Sequence, residues 1–374
     1  MNTLANPRPP AASRTDGDDL ANRWSPAHAG VVPGDRPDDA PSSPSQRRWP
    51  TPLPPALAGE RVAIGGAGPT LAAYVGPGVL GGASPADRRP LILVHSVNAA
   101  ASAAEVRPLF DAFAGRRPVL ALELPGFGSS ERSRRLRHTP ARMAEAIERA
   151  AEWLRERGFE APPDLLAVSL SCEFAARAVV ASPGLFATLA MVSPTGLEAR
   201  RREAWRGGAD KDKRWLRRVM ESAAGEVVYR LLTTRLSMRW FLSRTWGSAA
   251  IDEALLDYDL ITARAPAARH AVAAFVSGRL FTHGVRHLYA KVPVPVWIAH
   301  GVRGSFADMG GLADLLPRRR WSAEPFATGA MPYFEATRLF VARYERFLER
   351  AQGPGAAPMP GTPRDARVAV GASA

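Results

Sequence analysis

Ser169 is the residue whose surroundings are best suited to chemistry. It follows the apolar run Asp164-Leu165-Leu166-Ala167-Val168 and precedes a stretch of helical period in which Leu170, Phe174, Ala175 and Ala178 share one face. Strand, sharp turn, then helix is the layout that lifts a serine hydroxyl off a sheet as a nucleophile. The turn is tight enough to require small residues two before and two after the serine. Ala167 and Ser171 meet that need, giving A-V-S-L-S. The competing reading of Ser169 is a helix N-cap. Cys172 lies three residues on, where a helix N-terminus can depress a thiol pKa. With no histidine paired to it, it reads as a small buried packing residue.

The elements around this turn alternate. Residues 61–64 and 71–75 are short strands split by the turn-like 65–69 (GGAGP), and 90–96 (PLILVHS) is an apolar run suited to a strand buried on both faces. Residues 104–113 form an amphipathic helix, and 118–124 (PVLALEL) the next strand, ending in the turn Pro125-Gly126-Phe127-Gly128-Ser129-Ser130. Thr139 caps a long helix with Pro140 at its first position, stopped by Gly158. After the serine unit come a strand at 188–193, a mainly helical stretch, strands at 294–300 and 320–327, and a closing helix at 334–350. Repeated strand–helix units imply an α/β fold, a mostly parallel doubly wound sheet with an inserted helical cap. Ligands in such sheets sit beyond the carboxyl ends of the strands. Residues 95–99, 126–130 and Ser169 all fall there.

Composition bounds the rest. A chain of 374 residues suits one large α/β domain with an insertion, or two ordinary domains. Residues 1–58 and 351–374, rich in Pro, Ala, Ser, Asp and Arg, are expected to be disordered tails. The remainder divides into a first core part at 59–196, a cap at 197–291 and a second core part at 292–350. The cap carries Trp205, Trp215, Trp240 and Trp246 and would supply an apolar wall to the pocket. One cysteine excludes an internal disulfide and no Cys/His cluster has zinc spacing, so neither metal nor cofactor is expected. The Gly126/Gly128 turn lacks the third glycine of a dinucleotide fingerprint. The formal charge of +13 is almost all arginine, since Lys211, Lys213 and Lys291 are the only lysines. It is spread along the chain without a nucleic-acid-binding motif, so a solvated surface is expected rather than nucleic acid. No apolar run approaches the ~20 residues of a membrane span, and the N-terminus lacks a signal-peptide layout, which points to the cytoplasm. The oligomeric state is not legible in the sequence.

Four local motifs, in this order, resemble the α/β-hydrolase superfamily over most of residues 59–350. Ala167-Val168-Ser169-Leu170-Ser171 is similar to its nucleophile elbow. Leu93-Val94-His95-Ser96-Val97 is similar to its strand ending in His-Gly, with Ser96 in the glycine's place. The stretch 123–130 (ELPGFGSS) resembles an Asp-x-x-Gly-x-Gly-x-Ser turn with Glu123 for Asp, and 294–301 resembles the late strand preceding the catalytic acid. The resemblance implies acyl transfer. Ser169 would be the nucleophile, the backbone N–H groups of Val97 and Leu170 the oxyanion hole, and His95, Ser96, Asn98 and Tyr333 would line the pocket.

The family's general base is a histidine after a glycine before the last helix. Here that stretch is Thr328-Gly329-Ala330-Met331-Pro332-Tyr333-Phe334-Glu335, and no histidine follows His300. His300 and His283 are the candidate substitute bases, and Asp308 or Glu198 the candidate acid. The expected function is a serine hydrolase acting on an ester, thioester or amide of a small apolar compound. The alternative is a catalytically silent relative serving as a ligand-binding or scaffold protein, since a serine without a base is a poor nucleophile near neutral pH.

Overall fold

The apolar runs become the strands of one sheet. The computed structural model of the chain describes residues 50–81, 89–199, 214–316, 318 and 320–352. Eight strands are formed: β1 (Glu60–Ile64), β2 (Leu71–Val75), β3 (Leu91–Val94), β4 (Val119–Leu122), β5 (Asp164–Val168), β6 (Thr188–Val192), β7 (Val296–Gly301) and β8 (Trp321–Phe326). Their spatial order is β1-β2-β4-β3-β5-β6-β7-β8. The β1–β2 and β2–β4 pairs are antiparallel and every other pair is parallel. All residues of β2 to β6 are buried, as two-sided coverage by helices requires. The sheet is the expected mostly parallel, doubly wound one.

Strand order reverses between β3 and β5, which lie side by side with Val94 opposite Ala167. The chain leaves β3 toward β4 on one side and leaves β5 toward β6 on the other. The loops that follow β3 and β5 therefore open a crevice at the carboxyl edge of the sheet. The buried start of β5 is tied down by polar bonds. The Asp164 carboxylate pairs with Arg117 at 2.5 Å and accepts the Thr188 hydroxyl at 2.8 Å.

Helices α1 (Arg107–Phe113), α2 (Pro140–Arg155) and α3 (Ser171–Ala181) connect the first strands, and α10 (Pro332–Glu335) and α11 (Thr337–Gln352) close the chain. Thr139 Oγ1 accepts the Arg142 N–H as the N-cap of α2, as its sequence predicts. Helices α2 and α3 pack on one another, and α1 meets α11 on the other face. There Trp297 of β7 stacks on Tyr344 and Phe347 of α11, a large apolar contact that anchors the last helix. The helix expected at 104–113 is a 3-10 turn (Ala103–Val106) followed by α1, because Pro108 starts a new helix rather than continuing one.

Among the described residues between β6 and β7, six helices replace the alternation: α4 (Arg214–Glu221), α5 (Ala223–Leu232), α6 (Arg235–Trp246), α7 (Glu253–Ala263), α8 (Arg269–Val276) and α9 (Val285–Ala290). Ser222, Thr234 and Asp252 cap α5, α6 and α7 through their side chains, so these helices are specified locally. Trp246 is buried, whereas Trp215 and Trp240 face solvent, so the apolar character of this segment is not all packing. Trp205 lies outside the described residues.

Packing starts before the expected boundary at Gly59. Thr51, Ala56 and Leu57 are buried, Thr51 Oγ1 donates to Ser130 O at 3.1 Å, and the Ala56 N–H donates to Tyr74 Oη at 3.0 Å. Tyr258 Oη of α7 donates to Pro54 O at 2.8 Å. Few large apolar residues are needed here because the segment is fixed mainly by its backbone polar groups. The rest of the two expected tails, 1–49 and 353–374, lies outside the described residues.

Candidate active site

The turn from β5 to α3 holds Ser169 in the left-handed region at φ 55°. Strain of this kind typically costs about 1–3 kcal/mol in a non-glycine residue and persists only where the surroundings impose it. They do so here. The Ser169 N–H donates to Val192 O at 2.8 Å, Ser169 O accepts the Cys172 N–H at 3.1 Å, and Ala167 and Ser171 are packed without solvent exposure. The side chain itself is only half-buried, and its hydroxyl has no hydrogen-bond partner among the described residues. The N–H groups of Leu170 and of Val97, on the adjacent β3 loop, likewise have no acceptor among the described residues, although both residues are buried. Buried N–H groups are nearly always paired, so these two stand out among the described residues.

Glu105, which sequence reasoning did not single out, fixes the β3 loop. Its carboxylate accepts the Ser96 N–H at 2.7 Å and the Asn98 side-chain amide, while Asn98 Oδ1 accepts the Ala100 N–H at 2.7 Å. This grip shortens the strand expected at 90–96 to Leu91–Val94 and turns the loop away at Ser96. Serine in place of glycine brings no left-handed strain, since Ser96 is not among the positive-φ residues. Ser96 and Asn98 thus brace the loop from within. Burial pushes the Glu105 carboxyl up to about 6, partly offset by the bonds from Ser96 and Asn98.

His95 is wholly buried. Its Nδ1 lies 2.6 Å from Ser96 O and its Nε2 accepts the Leu124 N–H at 3.1 Å, which assigns the neutral Nδ1–H tautomer. Desolvation lowers its pKa to about 4, so it stays uncharged. His95, expected to line the pocket, acts as a strut between the β3 and β4 loops. Glu123 fills the same kind of role in the β4 turn. It accepts the N–H groups of Ser129 at 2.6 Å and Ala103 at 3.1 Å, and its main-chain oxygen accepts the Ser130 hydroxyl at 2.6 Å. A Cβ on Gly128, at φ +51°, would overlap that carboxyl group, so glycine is required there.

Among the described residues no basic side chain is hydrogen-bonded to the Ser169 hydroxyl. Ala330 is buried, its N–H donates to Thr245 O of the insertion at 2.9 Å, and its carbonyl accepts the Ser193 hydroxyl at 2.7 Å. His300, at the end of β7, has Nδ1 3.2 Å from Gly301 O, and His283 is exposed on the turn before α9; neither is bonded to Ser169. Glu198 accepts the Gly196 N–H at 3.1 Å, and Asp308 accepts the N–H groups of Ala199 and Gly310 at 3.0 and 3.1 Å. No hydrogen bond joins these candidate bases and acids to the serine among the described residues. Their spacing in sequence carried no information about which strand end each would reach.

Tyr333 is fully buried and its hydroxyl is without a partner; burial, with the neighbouring Glu105 and Cys172, drives its pKa well above the ordinary value. It cannot act as a base. Asp259 of α7 is buried with Oδ1 unpartnered, and desolvation together with Glu105 and Asp252 raises its pKa well above the usual carboxylate range. Cys172 is buried, its thiol directed at Ala167 O at 3.2 Å and its pKa pushed up by burial, in line with packing. Glu173, in the first turn of α3, accepts the Thr195 hydroxyl at 2.5 Å and the Thr282 N–H at 2.7 Å, and burial raises its pKa to about 7. The insertion reaches the β3 loop through Tyr229 of α5, whose hydroxyl lies 3.2 Å from Ala99 O and 2.9 Å from Ala263 O. Among the described residues no group of three or more His, Cys, Asp or Glu side chains is arranged to hold a metal ion.

No family model matches the sequence, and no curated protein matches it. Solved structures do. A serine hydrolase involved in carbazole degradation is 17% identical with a TM-score of 0.61, covering 78% of this chain and 100% of its own. A probable hydrolytic enzyme from Pseudomonas aeruginosa is 16% identical with a TM-score of 0.60, covering 78% and 95%. The meta-cleavage product hydrolase of Pseudomonas fluorescens is 14% identical with a TM-score of 0.57, covering 78% and 98%. At such identities the likeness is one of fold.

Proposed function

We propose that this protein, which has the α/β-hydrolase fold, is a slow serine acyl hydrolase that binds an ester, thioester or amide of a small apolar compound under a helical cap. One observation carries the reading: a strained, half-buried serine, followed directly by the unbonded Leu170 N–H, with the unbonded Val97 N–H on the loop of the neighbouring strand, among the described residues. The carbonyl oxygen of the acyl group would rest on the N–H groups of Val97 and Leu170, and Ser169 Oγ would attack the carbonyl carbon. Each donor is typically worth about 3 kcal/mol once the oxygen carries charge. The hydroxyl proton passes to water, because no imidazole takes it. Collapse of the adduct expels the alcohol, thiol or amine, and a second water releases the acid.

Losing the base of such a serine commonly costs about a millionfold in kcat, while binding and the oxyanion donors alone still give about 10³–10⁴ over water. Slow turnover is the expected outcome. The second reading, a silent acyl-binding protein, is favoured by Ala330 standing where the resemblance calls for histidine. Labelling of the full chain with a fluorophosphonate decides between them. Slow labelling that disappears in Ser169→Ala supports the hydrolase. No labelling, in a protein that still binds a non-cleavable ketone analogue of an ester, supports the silent protein.

A further inference from the structure

Three consecutive helices of the insertion turn apolar side chains outward. More than half of the exposed large apolar residues among the described residues fall between Trp215 and Phe241. In α4, Trp215 and Val219 are exposed at i and i+4; in α5, Val227 and Leu231 are; in α6, Leu236 and Trp240 are, with Phe241 beside them. The opposite faces are occupied: Gly225 and Tyr229 of α5, and Met238, Leu242 and Trp246 of α6, are the buried ones. These helices therefore carry a second apolar face with nothing of this chain's described residues on it. Leu236 is 81% exposed and Trp215 and Leu231 are each 64% exposed. At roughly 200 Å² for a fully exposed large side chain, Trp215, Val227, Leu231, Leu236, Trp240 and Phe241 present on the order of 700 Å² of apolar surface. Large exposed apolar side chains gathered in one segment are the mark of an interaction surface.

The charges among these residues choose the occupant. Residues 215–250 contain six arginines against two glutamates. Arg217 and Arg230 pair with Glu221 and Glu226 within the same helices, and Arg235 and Arg239 pair with Glu253 and Asp257 at the start of α7. Arg218 is exposed with no ion pair among the described residues, and Arg244 lies over the Trp240 ring at 5.1 Å. Aromatic and aliphatic residues outward, with arginine beside them on short helices, is the pattern of helices lying in a headgroup layer. Two copies facing each other would oppose the same positive charge, which disfavours self-association.

We propose that the outer face of α4–α6 is a peripheral docking surface for an anionic lipid interface. No helix of the described residues is long and apolar enough to cross a membrane, so the contact is one of lying on the surface. The proposal is independent of the chemistry at Ser169. Flotation of the full chain with vesicles of phosphatidylcholine, with and without phosphatidylglycerol, tests it. The protein is expected to float only with the phosphatidylglycerol vesicles and to be released by raised salt. The double variant Leu236→Ser/Trp240→Ser should lose at least about tenfold in partitioning with unchanged thermal unfolding, since both side chains already face water. Arg218→Gln/Arg244→Gln should weaken binding while leaving the apolar face intact. Three results overturn the proposal: no flotation with either vesicle, equal flotation with phosphatidylcholine alone, or a concentration-dependent dimer that the Leu236/Trp240 variant dissolves in the absence of lipid binding.

Discussion

Replacing Glu105 by Gln isolates the group that shapes the β3 loop. In the folded protein the carboxyl titrates at about 6, above its ordinary 4.5, with burial the main cause and the Ser96 and Asn98 bonds opposing it. The folded state thus holds the proton more tightly than the unfolded chain. Between pH 4.5 and about 6 stability falls as pH rises, and the gap corresponds to about 2 kcal/mol, fully lost once the group is ionised in both states. Glutamine keeps the shape but can serve only one of the two donors with its oxygen. The other is left unsatisfied in a buried loop, at about 1–3 kcal/mol. Urea unfolding of both proteins at pH 4.5 and at about pH 7 should therefore show Glu105→Gln less stable at the lower pH, by a margin about 2 kcal/mol smaller at the higher one. His95 titrates in the same range, with its folded pKa depressed, so protonation of the unfolded chain costs stability as pH falls. That contribution is common to both proteins and cancels in the difference. A margin that stays constant or grows with pH refutes the assignment of Glu105 as a buried, charge-strained brace.

Ser169→Gly should stabilise the fold by about 1 kcal/mol by relieving the left-handed residue, whereas Ser169→Ala should not; thermal melts distinguish them. Gly128→Ala should destabilise by at least about 2 kcal/mol, because its Cβ would meet the Glu123 carboxyl in a backbone conformation hostile to alanine; denaturant titration measures it. Asp252→Ala removes the cap accepting the Leu255 N–H at 2.7 Å together with the Arg107 ion pair, and should cost about 1 kcal/mol or more in urea unfolding. Ala330→His should raise the rate of fluorophosphonate labelling at Ser169 by about 10² or more; an unchanged rate would show that the missing imidazole is not the limiting factor at that position.

The sheet was readable because its strands are buried on both faces. Leu71–Val75 and Asp164–Val168 stand where their uninterrupted apolar residues put them, and Ser169 sits at the strand–helix junction that Ala167 and Ser171 permit. What could not be read was carried by long-range polar contacts. Nothing in the seven-residue interval between Asn98 and Glu105 announces a carboxylate folded back onto its own loop, and nothing local to Pro54 announces a tyrosine from α7. His300, Asp308 and Glu198 near strand ends, and His283 in the insertion, have the right chemical types for a partner of the serine. Which of them converge depends on loop paths that leave no periodic trace.

The contact of Tyr229 with Ala99 O, at 3.2 Å, ties the insertion to the β3 loop. Ala99 is two residues from Val97, and the same hydroxyl lies 2.9 Å from Ala263 O, so one side chain bridges α5, the end of α7 and the loop that carries Val97. Three parts of the chain far apart in sequence thus share a single phenol as their joint.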